Sequence, residues 1–267
     1  MYCIPHRSKS KTPLLAGAAM LTALLLGGCQ NAQFGATGSI TQSAAQDPRS
    51  DAQVWGERYN RNQKDPEAGI RYAQALRAIG QRAQAVAVLE QSSLNNPNNP
   101  DVLGAYGRAL ADNGRFPQAL DVLSRAHTPD RPDWRILSAQ GAVLDQMGRH
   151  QEARQHYISA LRIAPEEPSV MSNLGLSYAL SRNLPEAENT LRRANAQNSR
   201  EPRVRQNLAL VVGLQGRFEE AQTIASADLS PEEAAANLEY LRNMLAAEKN
   251  KKGKPHQRMV RQAANNS

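Results

Sequence analysis

The 267-residue chain holds five histidines and two cysteines, the side chains best suited to metal binding or nucleophilic chemistry. Their spacing supports neither. His6, His127, His150, His156 and His256 are scattered. His150 and His156, six residues apart, fall on different faces of a helix and make no metal pair. Glu166-Glu167 and Glu219-Glu220 are paired carboxylates of the kind used in acid–base work. Both pairs sit at turns or helix starts, where they favour the positive end of a helix dipole. The sequence shows no nucleophile elbow, no phosphate-cradling glycine loop and no Cys–His pair. These residues predict a chain that is not an enzyme, takes no cofactor or metal and has no small-molecule substrate. One reactive group remains, the thiol of Cys29 at the end of an apolar run.

That run spans residues 14–26 and follows a basic segment with His6, Arg7, Lys9 and Lys11. It is short of the roughly 20 residues that a permanent span needs, and reads as an export signal. Leu26-Gly27-Gly28-Cys29 is similar to the bacterial lipobox, with glycine where alanine or serine is commoner. The resemblance implies a signal peptide over 1–28, cleavage before Cys29 and lipidation of its thiol and new amine. Gln30 rather than Asp after the cysteine favours the outer membrane, with the body facing the periplasm. Cys3 leaves with the signal, so the mature chain forms no internal disulfide. Several acyl chains anchor stably where one is marginal. Residues 29–50 lack apolar periodicity and read as a flexible tether, with a span of roughly 25 Å.

The elements that position everything else follow a period of 34 residues. Ala85, Ala119, Ala153, Ala187 and Ala221 keep that step. So do Gly107, Gly141 and Gly175, with Ala73 and Ala209 at either end, and Gly80, Gly114, Gly148 and Gly216, interrupted only by Arg182. A 34-residue period is that of the tetratricopeptide repeat, a helix–turn–helix unit. The chain is therefore predicted to be all-α, a right-handed tetratricopeptide solenoid with terminal capping helices over 51–248. The first two ladders place small side chains where two antiparallel helices meet closely. The third places glycine at the turn, where a left-handed residue ends the first helix. Full repeats are expected at about 66–99, 100–133, 134–167 and 168–201, and a fifth from Pro202 with a second helix ending near Ala227. A helix from Asp51 to about Gln63 caps the front. Ser230-Pro231-Glu232-Glu233 reads as a capping box that opens a last helix to about Ala247.

The formal charge of +7 resides in the ends. Residues 1–28 carry +3, residues after 248 carry +6, and the body between them is −2. A near-neutral body with basic ends excludes a nucleic-acid-binding face. Residues 249–267, rich in Lys, Arg and Asn around Gly253 and Pro255, read as a disordered basic tail.

A protein-binding surface remains. In tetratricopeptide arrays the second, fifth, ninth, twelfth and thirteenth positions of each first helix line a concave groove. Carried over to this chain, that resemblance implies a polar lining of Asp101, Arg108, Asp112, Arg135, Ser138 and Asp145. Further along it implies an apolar one of Leu176, Leu180, Leu210 and Leu214. Exposed apolar patches of that kind usually mean contact. The groove is expected to accept an amphipathic helix or apolar strand of a partner protein, unless the chain's own helix 231–247 fills it.

A lipobox, a short polar tether, four to five repeats and the closing segment 230–245 (SPEEAAANLEYLRNML) together resemble the TadD family. These are the tetratricopeptide lipoproteins of the tight-adherence (Flp) pilus machinery. The resemblance implies a pilotin-like assembly factor for an outer-membrane secretin, acting by binding and without a cofactor. The alternative is a periplasmic adaptor that scaffolds peptidoglycan enzymes.

Overall fold

The computed structural model describes residues 47–197 and 201–264, with side chains as far as 248. The signal peptide, Cys29 and residues 29–46 of the tether lie outside the described residues. Within them the chain forms helices and a single isolated β-bridge between Thr128 and Arg131. A front helix α1 (Pro48–Arg61) precedes five helix pairs. These are α2 (Pro66–Ala78) with α3 (Arg82–Asn95), α4 (Pro100–Asp112) with α5 (Phe116–Ser124), α6 (Trp134–Gln146) with α7 (His150–Ile163), α8 (Pro168–Leu180) with α9 (Leu184–Gln197), and α10 (Pro202–Leu214) with α11 (Phe218–Ala225). The last helix is α12 (Pro231–Ala264).

The first helices begin every 34 residues because their caps do. Asp65, Asn99, Asp133 and Glu167 each accept a hydrogen bond from a backbone N–H two residues on, at 2.7–3.4 Å. Such a cap satisfies one of the donors a helix start leaves open. Proline follows the cap in α2, α4, α8 and α10, where its missing N–H costs nothing. The same grammar corrects the tether boundary. Asp47 caps α1 through the Arg49 N–H at 3.0 Å and Pro48 opens it, so the helix starts at Pro48 instead of Asp51. Each first helix ends at a turn residue with positive φ: Gly80, Gly114, Gly148 and Gly216 at 75–84°, and Arg182 at 62°.

The seam inside each pair is set by one juxtaposition. A methyl group added at Gly107 would lie 2.5 Å from Leu123, at Gly141 2.6 Å from Tyr157, and at Gly175 2.6 Å from Leu191. The glycine makes room for the large residue sixteen positions later, and Leu123, Tyr157 and Leu191 are almost fully buried there. Between pairs the bonds are polar and also periodic. Asn173 donates to the Ser138 hydroxyl at 3.1 Å, and Asn207 to that of Ser172 at 2.9 Å. Farther out, Glu188 of α9 accepts from Arg192, Gln215 and Arg217, and Glu220 pairs with both arginines. Burial pushes the Glu188 carboxyl up. Its hydrogen bonds from Arg217, Gln215 and Arg192 outweigh that and hold it down at about 2.

At the end of the stack the capping box forms as expected. Glu233 accepts from the Ser230 N–H at 3.0 Å, and Ser230 accepts from the Glu233 N–H at 3.2 Å. Leu238 and Leu241 of α12 are buried against α10 and α11, where Gly213 leaves space for Leu241. The backbone of α12 does not stop near Ala247. It is helical to Ala264, across the stretch read from its composition as a disordered tail. Lys, Gln, Arg and Ala there have high helix propensity, which a reading weighted on charge and on Gly253 and Pro255 passes over.

Two outcomes follow. Gly141→Ala gains at most about 1 kcal/mol of helix propensity and sets a methyl group into a fixed phenol ring. Overpacking of that kind costs about 1–3 kcal/mol, so urea denaturation should show a net loss of about 1–2 kcal/mol. For Glu188, a folded value of about 2 against an ordinary 4.5 means its stabilisation is complete above pH 4.5 and lost as pH falls toward 2. Glu188→Gln should flatten the fall in urea midpoint across that window.

Candidate functional site

The first helices α2, α4, α6, α8 and α10 approach their neighbours in series, α2 to α4 and so on, whereas the second helices do not approach one another. Helices packed closer on one side make a stack that bends toward that side. The first-helix layer therefore forms the inner face, and the residues expected to line a groove can be located on it.

They divide into three groups. Ser138 and Asp145 are interior. Asp145 accepts from the Ser177 hydroxyl at 2.8 Å and the Tyr157 hydroxyl at 3.0 Å, and His150 Nδ1 lies 2.8 Å from it, so one carboxylate joins α6, α7 and α8. Burial and the adjacent carboxylate push the Tyr157 phenol far up, so it stays protonated and donates. Asp145 is therefore a structural acceptor in place of the partner contact expected of it. A signal for this lies in the sequence. Three of its four 34-residue equivalents, Ala111, Ala179 and Gly213, are small residues of a packed position, and the fourth is Arg77.

The second group is polar and accessible. Asp112 is exposed and takes the Arg77 guanidinium of the preceding repeat at 2.5 Å. Arg135 is exposed, with its guanidinium 4.5 Å from the Trp134 ring centroid. Arg108 is half-buried, and none of its N–H groups meets an acceptor among the described residues. Burial pushes its guanidinium down and so does Arg77, against the opposing pull of Asp133, Asp101 and Asp112. It opens into a cleft of about 460 Å³ between α2 and α4, walled by Glu67, Ile70, Arg71, Gln74 and Asp101. Sequence reasoning named Asp101 and Arg108 and missed the α2 wall. Glu67, Ile70 and Gln74 hold the second, fifth and ninth positions of the first repeat, so the same register applied one repeat earlier finds them.

The third group is apolar. Leu210 and Leu214 are half-buried against the cluster that contains Leu238 and Leu241 of α12. Leu176 and Leu180, one turn apart on α8, are half-buried too and are not among the side chains packed into that cluster. The backbone of α12 approaches α10 and α11 and not α8, although Arg182 in the α8–α9 turn reaches Glu248 at 2.9 Å. The chain's own last helix thus covers the final layer, and Leu176 and Leu180 stay half-buried outside that cluster.

Glu167 caps α8, and Glu220 sits in the arginine cluster. Burial and the neighbouring His127 push the His156 imidazole down. Among the described residues, no three His, Cys, Asp or Glu side chains gather as metal ligands, and no helix is long and apolar enough to cross a membrane.

With this geometry in place, the likenesses to known proteins can be set beside it. The Tetratricopeptide repeat family model matches residues 80–141 and 146–211. Among curated proteins no sequence match was found. Solved structures of similar fold include the APC/C hetero-tetramer Cut9–Hcn1, at 13% identity and TM-score 0.63, covering 76% of this chain and 40% of that one. PilW, described as a widely conserved type IV pilus biogenesis factor, is similar at 14% identity and TM-score 0.61, covering 71% and 91%. Pseudomonas aeruginosa pilF is similar at 18% identity and TM-score 0.54, covering 70% and 93%. At these identities the likeness is one of fold. The chain carries tetratricopeptide repeats, and its fold is the all-α one of those structures.

The division of the site has a direct check. Asp145→Ala strands buried donors on Tyr157 and Ser177, at about 1–3 kcal/mol each. Asp112→Ala removes an exposed ion pair, at about 0–1 kcal/mol. Urea denaturation should separate the two variants by at least about 1 kcal/mol.

Proposed function

We propose that this tetratricopeptide-repeat chain is a lipid-anchored assembly factor of the periplasmic face of the outer membrane, pilotin-like, that binds the secretin of a Tad/Flp pilus system. The observation that carries the binding half is the inner face itself. It presents an unpaired guanidinium at one end and two half-buried leucines outside the core clusters toward the other. Scaffolds of this kind act by holding a partner protein. The lipid anchor rests on Leu26-Gly27-Gly28-Cys29, and the pilus context on the resemblance of segment 230–245. The fold shared with PilW, a pilus biogenesis factor, is consistent with that context.

Formaldehyde crosslinking in intact cells, capture of the chain and mass spectrometry of its partners test this reading. A secretin is the expected partner. Cys29→Ala should leave the chain unlipidated and reduce secretin multimers in the outer membrane. Leu176→Ser with Leu180→Ser should lower capture while circular dichroism stays unchanged, whereas Leu210→Ser should cost stability through the α12 contact. Recovery of peptidoglycan enzymes without a secretin would replace the proposal with the adaptor reading.

A further inference from the structure

The cleft between α2 and α4 has a more specific chemistry than a general protein-binding face. Arg108 offers five N–H donors and finds no acceptor for them among the described residues. Two of the nearby acids are held elsewhere, while Asp101 lines the cleft without bonding to Arg108. Asp112 is held by Arg77 at 2.5 Å, and Asp133 caps α6 through the Arg135 N–H at 2.7 Å. Gly104, one turn earlier on the same helix, makes room for Ile136 beside the guanidinium. A side chain there would meet Ile136 at 2.6 Å and Arg108 Nη1 at 3.5 Å. A partly desolvated guanidinium facing an open cleft is best satisfied by a carboxylate, which takes two of its N–H groups at once.

The other walls narrow the occupant. Ile70 supplies apolar surface on the α2 side, next to the Gln74 amide. Glu67 and Asp101 face the same space and repel a run of acids, so the occupant carries one acid among uncharged residues. The cleft is open and holds about 460 Å³, room for a few side chains and not for an enclosed helix. An extended segment places a few side chains in it.

The chain's own ends do not provide that segment. Residues 1–46 contain no Asp or Glu, and residues 249–267 carry +6 with none. Arg71, Arg77 and Arg108 repel such a tail.

We infer that the α2–α4 cleft is the docking site for an extended segment of a partner protein, with a single internal Asp or Glu anchored on Arg108 and an apolar neighbour on Ile70. This deepens the proposed function and rests on the reading of the inner face as a protein-binding surface.

The test uses the full chain and a defined probe. The probe is a pool of acetylated, amidated dodecapeptides randomised over Leu, Val, Ser and Gly around a fixed central Asp. A second pool carries Asn in its place, and a third carries Asn with a free C-terminal carboxylate. Fluorescence anisotropy should show retention of the Asp pool at least tenfold tighter than the Asn pool, weakening with salt. Arg108→Gln should remove that preference with an unchanged urea midpoint. Ile70→Ser should weaken binding of both pools and, because Ile70 also packs against the front core, lower the urea midpoint without unfolding the chain. Leu176→Ser should leave the preference intact. Equal binding of the Asp and Asn pools, binding of neither, or an Arg108→Gln variant that folds and keeps the preference would overturn the inference. A preference for the free-carboxylate pool alone would assign the cleft to chain termini and overturn it as stated. The two proposals fail separately. Secretin capture that survives Arg108→Gln and is lost in the α8 double serine variant removes this inference and keeps the pilus reading. An Arg108-dependent Asp preference without secretin capture does the reverse.

Discussion

The arrangement depends on a contact between nothing and something large. Gly107, Gly141 and Gly175 contribute no side chain, and Leu123, Tyr157 and Leu191 fill the space that results. Each pair fixes the distance and rotation of two antiparallel helices, so each repeat presents its first helix at the same angle. The polar bonds between repeats, from Asn173 to Ser138 and from Asn207 to Ser172, can recur only because the seams place them in register. At the last pair the partner positions are Ala209 and Ala225. Ala234 of the closing helix completes that small cluster, so the seam ends by packing three alanines together.

The division of the inner face follows from what the interior consumes. Position twelve of the third first helix is an aspartate, and the stack takes it inside, where the Tyr157 and Ser177 hydroxyls donate to it. Two repeats earlier the same position is Arg77, which turns outward to Asp112. One register therefore yields a core acceptor in one repeat and a rim ion pair in another. What remains for a partner is Arg108 toward the front, with Ile70 reaching the cleft from the edge of the core, and Leu176 and Leu180 toward the back.

Periodicity makes most of the fold legible in the amino-acid sequence. The glycine and alanine ladders locate the seams and turns, and Ser230 with Glu233 locates the last helix, because each of these features is local along the chain. The reading fails where one short signal has two meanings. Asp47-Pro48 marks a turn or a helix start, and the backbone shows the start. Lys-rich sequence around Gly253 and Pro255 marks disorder or an exposed helix, and the helix continues. The site is less legible than the fold. Which groove positions are free depends on long-range partners, such as Ser177 for Asp145 and α12 for Leu210, and a position rule carries no account of them. The lipobox lies outside the described residues and remains a matter of sequence.

The second helix of the second repeat, α5, has nine residues where α3, α7 and α9 have fourteen. At 1.5 Å per residue that is about 7.5 Å less seam. In a stack of nearest neighbours cooperativity passes from layer to layer, and of the two short second helices only α11, with eight residues, is backed by a closing helix. The shortened helix makes a fault line beside the Arg108 cleft. Under tension the array has a built-in place to part first. The front repeats could then yield while the back repeats, closed by α12, keep their hold.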